Sequence, residues 1–244
     1  MSDHPNDKSL PRRALVVGGR GGIGRHIADR LSALGYEVLI AGRSEADGAL
    51  TLRLDITHGP ACRERLARLH REIGSLDCLV NCAVNAVGGV SGPFAGTDPN
   101  RYPEAARVSV AAMFELVHGA YPLLRERGGA IVLFGSDSAR FASRNQSVVA
   151  ATSAAISAFT RNFALEAAAD RVRINCISLT YVRETPIYDG LVSLGSSRIA
   201  RAEQRAGLGL PTPADVAPLA AFLCSDDAAR ITGQVISING GLSA

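Results

Sequence analysis

Eight residues near the start, Val17-Gly18-Gly19-Arg20-Gly21-Gly22-Ile23-Gly24, have the spacing of a phosphate cradle. Gly18 permits a tight turn, Gly22 lets backbone approach a pyrophosphate, and Gly24 lets a helix pack close. The helix start then offers unpaired N–H groups and partial positive charge to phosphate oxygens. Glycine spacing alone is weak evidence. Here it lies between a short apolar run, Ala14-Leu15-Val16-Val17, and a stretch with helical spacing, Ile23, Ile27, Leu31 and Leu34. That strand-turn-helix setting is what a dinucleotide site requires. An acidic residue after the second strand would hold the ribose 2′-hydroxyl of NAD. The chain has Ala41-Gly42-Arg43-Ser44 instead. Arg43 can grip a 2′-phosphate with both arms of its guanidinium, and Arg20 can add a second charge. The expected cofactor is NADP(H), held by Gly18, Arg20, Gly22, Ile23, Gly24 and Arg43.

Composition removes other chemistries. Of 244 residues, Lys and Arg together number 26, and Lys8 is the one lysine. Schiff-base chemistry and a P-loop lysine in the folded core are therefore excluded. The five histidines, His4 in the N-terminal tail and His26, His58, His70 and His118, are scattered singly, without the spacing of a metal site. Five cysteines, Cys62, Cys78, Cys82, Cys176 and Cys224, follow no zinc or redox pattern. Reduced buried thiols and a cytoplasmic location are expected. The net charge is +3, and the densest basic stretch, Arg63 to Arg71, is interrupted by Glu64. It reads as a solvated helix face, so no nucleic-acid partner is expected. No uninterrupted apolar run reaches the ~18 residues of a membrane span, so no membrane partner is expected either.

The elements that must position these residues alternate along the chain. Strands are expected at Ala14–Val17, Tyr36–Ala41, Leu50–Leu54, Leu76–Val80, Ala130–Phe134, Val172–Ser178 and Gln234–Ile238. Helices are expected at Ile23–Leu34, Pro60–Ile73, Pro103–Arg127, Gln146–Ala169 and Pro213–Cys224, with 185–209 irregular or helical. Such repeated strand-helix-strand units imply α/β architecture: one doubly wound, Rossmann-type domain with a predominantly parallel, seven-stranded sheet. Residues 1–12, polar and holding two prolines, read as a loose tail, and 13–244 as the domain, with a substrate loop near 180–210.

Over nearly its full length the sequence resembles the short-chain dehydrogenase/reductase family. The motifs that carry the resemblance are Gly18-x-x-x-Gly22-Ile23-Gly24, Leu54-Asp55-Ile56, Leu79-Val80-Asn81-Cys82-Ala83, Arg173-Ile174-Asn175, Ile231-Thr232-Gly233-Gln234 and Asn239-Gly240-Gly241. The resemblance implies that Asp55 holds the adenine edge. It implies that Asn81 and Ala83 lie near the adenosine ribose. It also implies a homodimer or homotetramer joined through the two long helices.

The resemblance breaks at the centre. The family uses a serine, a tyrosine, a lysine four residues on, and an asparagine. Setting Gly135-Ser136 on the serine strand puts Val149 at the tyrosine position, Ser153 at the lysine position and Ser109 at the asparagine position. Val84 replaces a glycine, and only Ser44 to Ala49 separate strands two and three, too few for the usual helix. Tyr121, four residues before Arg125, imitates the couple but precedes the serine strand. Candidate catalytic residues are therefore Ser136, with Tyr181 and Asp137 as acids. The expected function is an NADP(H)-dependent oxidoreductase of an activated small molecule, an imine, enone or similar. The alternatives are a non-redox isomerase, dehydratase or cyclase on the same scaffold, or a non-catalytic cofactor-binding or partner subunit.

Overall fold

The computed structural model describes residues 11–44, 50–83, 87–193 and 195–243. Seven strands form one sheet in the order β3-β2-β1-β4-β5-β6-β7. They are β1 (Arg13–Val17), β2 (Glu37–Gly42), β3 (Thr51–Arg53), β4 (Cys78–Asn81), β5 (Gly129–Ser136), β6 (Val172–Leu179) and β7 (Val235–Ile238). All six pairings are parallel, so the expected "predominantly parallel" sheet is wholly so. The order reverses between β1 and β4, which opens a crevice at the strands' carboxyl ends.

The central strands β1, β4, β5 and β6 are largely buried on both faces and so read as continuous apolar runs rather than alternating ones. Leu15 and Val17 point into one layer with Leu66, Leu116 and Ile174. Ala14 and Val16 point into the other with Ile27, Leu31 and Val216. The first layer holds α2 (Gly59–Ile73), α4 (Ala112–Arg125) and α5 (Ser147–Ala167); the second holds α1 (Gly22–Ala33) and α8 (Pro213–Cys224). α8 starts with a capping box in which Thr212 and Asp215 bond reciprocally.

Two segments differ from their sequence-based expectation, and a third is sharpened by the structure. The helix expected at Pro103–Arg127 is α3 (Tyr102–Ala106), a π-helical turn at Arg107–Ala111, and then α4. The stretch 185–209 resolves into α6 (Pro186–Ser193) and α7 (Ser197–Arg205). Arg12, assigned to the tail, is instead tied down: it pairs with Asp226 and lies over the Tyr36 ring. The stretch Ser147–Asp170 has the length and mean hydropathy, 1.2, to cross a membrane. In this fold it packs along β5 and β6. Its sheet-facing side is small and hydroxylated, and Ser157 and Thr160 donate to carbonyls one turn back.

Within the glycine loop the tightest requirement falls on Gly24. A Cβ there would lie 2.3 Å from the Gly18 carbonyl oxygen, whereas one on Gly21 would meet the same oxygen at 3.6 Å, an ordinary contact. Gly24→Ala should therefore cost at least about 1–3 kcal/mol of unfolding free energy, in the range of overpacked cores. Gly21→Ala should cost far less, and urea unfolding of the two variants checks the contrast.

Candidate active site

The crevice holds a cavity of about 1190 Å³, floored by the strand ends. The glycine loop forms one end. Gly18 has φ +78°, and a Cβ on it would lie 2.9 Å from the Ala83 nitrogen across the crevice. No L side chain fits there, and backbone is the only possible lining. α1 begins at Gly21 with no side-chain cap and no acid in its first turn. Its leading N–H groups are thus available to an anion. Gly18, Gly22, Ile23, Gly24, Asn81 and Ala83, the residues assigned to the cofactor, all line the cavity. Asn81 accepts from the Ala83 nitrogen at 3.2 Å, which fixes the turn after β4.

A side pocket of about 240 Å³ opens beyond the loop, lined by Gly42, Arg43, Leu54, Asp55 and Ile56 among others. Arg20 reaches across from the glycine loop to donate to Ser44 at 2.8 Å, which brings it to the end of β2. Arg20 and Arg43 thus place two guanidinium groups near this side pocket. Asp55 accepts at one carboxylate oxygen from the Thr57 hydroxyl, 2.7 Å, and the Thr57 nitrogen, 2.9 Å. The Thr57 hydroxyl is the main reason its pKa falls below the ordinary aspartate value, with Arg43 contributing. Residue 84 and the segment 45–49, where Val84 and a missing helix were noted, lie outside the described residues. The uncapped helix, the side-chain-free crevice and the side pocket together fit a dinucleotide.

At the centre, Ser136, Val149, Ser153 and Ser109 line the same cavity. Ser109 sits in the π-helical turn, a distortion often found at functional sites. Ser136 shares a 2.9 Å hydrogen bond with Ser138, which also faces the cavity. Tyr181 follows β6, half-buried, and packs near Ala202, Ala206 and Leu210. Asp137 lies at the cavity wall but is buried and fully engaged. Ser237 donates to one of its oxygens at 2.7 Å and Asn239 to the other at 2.6 Å. Tyr121 is not in the cavity; its hydroxyl donates to Asp170 at 2.7 Å. The substrate loop supplies residues that sequence reading did not single out: Tyr188 on α6, and Arg198, Arg201 and Arg205 on α7. Spacing of i, i+3, i+7 was the available signal for the arginines.

A family profile described as enoyl-(acyl carrier protein) reductase matches residues 17–243. The chain belongs to the short-chain dehydrogenase/reductase family. A tropinone reductase homolog of Arabidopsis thaliana is 30% identical over 247 residues, covering 95% of this chain and 92% of that protein. An acetoacetyl-CoA reductase of Shinella zoogloeoides is 30% identical over 242 residues, covering 95% and 98%. The solved structure of ElxO with NADP bound superimposes with a TM-score of 0.85 at 23% identity, covering 96% of this chain and 99% of that one. The chain is thus an oxidoreductase-family protein with the family's fold.

Among the described residues no group of His, Cys, Asp or Glu is arranged to hold a metal, and the five cysteines are unpaired. Burial pushes the Cys62 thiol up to about 11 and the Cys176 thiol up to about 12, so neither is a nucleophile at neutral pH.

Two substitutions test the local chemistry. Asp137→Ala strands the donors on Ser237 and Asn239, and should cost about 1–3 kcal/mol in urea unfolding. Thr57→Ala should move Asp55 back up toward the ordinary aspartate range, seen by carboxyl NMR titration. A depressed pKa contributes stability above the unfolded-state value and loses it as pH falls through the folded one. The variant should therefore lose stability at neutral pH, and part of the acid-induced decline should vanish with it.

Proposed function

We propose that the chain is an NADP(H)-dependent oxidoreductase acting on an activated small molecule, an imine, an enone or similar, without the family's tyrosine-lysine couple. The observation that carries this reading is the wall of the cavity. Val149 and Ser153 line it with Ser136, at the sequence spacing where the family places tyrosine and lysine. Among the described residues the chain has no lysine at all.

A nicotinamide dinucleotide bound in the crevice supplies or accepts a hydride. The preference for the 2′-phosphorylated form rests on Arg43 and on Arg20, which is drawn to the end of β2 by Ser44. The binding of NADP by ElxO agrees with it. Ser136 holds the substrate's polar atom through its hydroxyl, which Ser138 orients. Tyr181 carries the exchangeable proton on the substrate side, where no described residue bonds its hydroxyl. Asp137 is a positioning residue, since both oxygens are already occupied by donors. Met113, Val149 and Ile156 make that wall apolar and exclude water.

The preference for an activated substrate follows from proton demand. Reducing a ketone makes an alkoxide, and a positioned acid there is worth about 10²–10⁴-fold. An iminium accepts hydride with no proton transfer, and a conjugated acceptor can take its proton later from water. The site suits the latter two.

The partner of this chain is a second copy of itself. α4 and α5 leave Phe114 and Leu165 exposed, at 42% and 81%, on a small-residue surface suited to close helix packing. The five free thiols suit a reducing compartment such as the cytoplasm.

Titration of NADPH fluorescence tests the cofactor assignment. Binding should be tighter for NADPH than for NADH. Arg43→Ala with Arg20→Ala should erase most of that preference, about tenfold or more, the worth of a charge-assisted hydrogen bond. No binding at millimolar NADPH would overturn the assignment. Anaerobic NADPH consumption should then pick out imines or enones over simple ketones. Ser136→Ala combined with Tyr181→Phe should lower kcat by about 10²-fold or more; unchanged turnover would discard the site.

A further inference from the structure

We propose that the substrate carries an anionic group, a carboxylate or a phosphate, and that Arg198 receives it with Arg201 and Arg205 at the far end of the cavity. The inference rests on reading the cavity as the active site.

The first observation is a buried donor without a partner. The Arg198 Nη1 is shielded from solvent and makes no hydrogen bond. An unpaired buried donor on a charged group is expensive, and native structures rarely leave one without a reason. The second is the company it keeps. Arg198, Arg201 and Arg205 fall at i, i+3 and i+7 on α7 and all line the cavity. Like charges at that spacing destabilise a helix. Among the described residues no carboxylate pairs with them. Arg201 bonds only Ser197 of its own helix, at 2.9 and 3.2 Å. Glu203, on the same helix, accepts from Tyr188 instead, at 2.6 Å. Asp137 is the one acid among the described lining residues, and it is satisfied by Ser237 and Asn239.

The third observation is placement. α7 is held by Ala202 and Ala206 against Leu210, Tyr181 and Leu242, that is, against the segments after β6 and β7. The phosphate cradle follows β1, and β4 and β5 stand between β1 and β6. At ~4.8 Å per strand, β6 is about 14 Å from β1. The cradle already serves a dinucleotide's pyrophosphate, and Arg20 and Arg43 lie farther off, toward β2 and β3. The α7 arginines therefore face whatever enters beside Tyr181. A guanidinium presents paired donors that match the two oxygens of a carboxylate or phosphate, and it stays charged at any working pH.

The test uses the full chain saturated with NADP+, in low-chloride buffer, so that no probe is turned over. Calorimetric titration compares acetoacetate with methyl acetoacetate, and 4′-phosphopantetheine with pantetheine. Each pair differs by its anionic group. The expected result is that one anionic probe binds at least tenfold more tightly than its neutral counterpart. Acetoacetate alone would identify a carboxylate, and 4′-phosphopantetheine alone a phosphate. Arg198→Met should abolish the preference while leaving NADPH affinity at the wild-type level. Arg201→Gln with Arg205→Gln, on an exposed helix face, should weaken it several-fold and guards against a folding defect in the first variant. Equal binding within both pairs, or a preference that survives both variants, overturns the inference. Intact NADPH binding with no anion preference defeats this inference alone. Anion preference with no NADPH binding defeats the cofactor assignment alone.

Discussion

The carboxyl edge of the sheet hangs on a backbone contact that leaves no room for a side chain. Gly18 leaves β1 in the left-handed region, and its Cα faces the Cys82–Ala83 peptide across the crevice. Its nitrogen donates to the Ala41 carbonyl of β2 at 2.8 Å, while the Cys82 nitrogen donates to Val17 at 2.8 Å. One glycine thus draws together the ends of β2, β1 and β4. Gly24 then lies over the Gly18 carbonyl, which sets where α1 begins and where its uncapped N–H groups point. The phosphate cradle is the geometric result of those two close approaches. Its charge comes from the helix dipole rather than from side chains.

A second chain of contacts runs from the centre of the site to the substrate loop. Asp137, at the end of β5, accepts from Ser237 on β7 and from Asn239 just after it. Asn239 opens a turn whose Gly240 has φ +62° and would place a Cβ 1.7 Å from the Gly209 carbonyl oxygen. The Leu208 nitrogen donates to Gly240 in return, at 3.0 Å. The end of α7 is therefore clamped to the end of β7, which is in turn clamped to the residue beside Ser136. A carboxylate read from sequence as an acid is better understood as the strut that fixes Ser136 relative to the arginine-bearing helix. It is buried, and each of its oxygens is held by a donor from β7 or the turn after it.

This division explains what was legible in the sequence. The strands of a parallel sheet are buried on both faces, so β1, β4, β5 and β6 announce themselves as unbroken apolar runs. Gly18, Gly22 and Gly24 were legible because they also serve a local pattern, a turn and the start of a helix, although the close approach of Gly18 to Cys82 and Ala83 is long-range. Arg12, Asp137 and Arg198 were misread or missed for the opposite reason. Their roles depend on Asp226, Asn239 and the cavity itself, which are 100 or more residues distant or belong to the tertiary fold. The π-helical turn at Ser109 gave no sign either, because apolar periodicity is insensitive to one extra residue in a turn.

The placement of charge gives the chain its physical character. Of 26 basic residues, the single lysine lies at position 8, and the cavity's cations are arginines. A lysine can lose its proton when buried and can tune a neighbouring acid; an arginine does neither and serves as a fixed charge. Three of those arginines stand on α7, where a fixed charge can attract and orient. On the proposed reading, the binding energy of an anion at α7 takes over part of what acid catalysis does elsewhere in the family. Holding a reactive acceptor in line for hydride transfer is worth several kcal/mol by itself. That gain requires no proton from the protein when the acceptor's own charge or conjugation takes up the electrons.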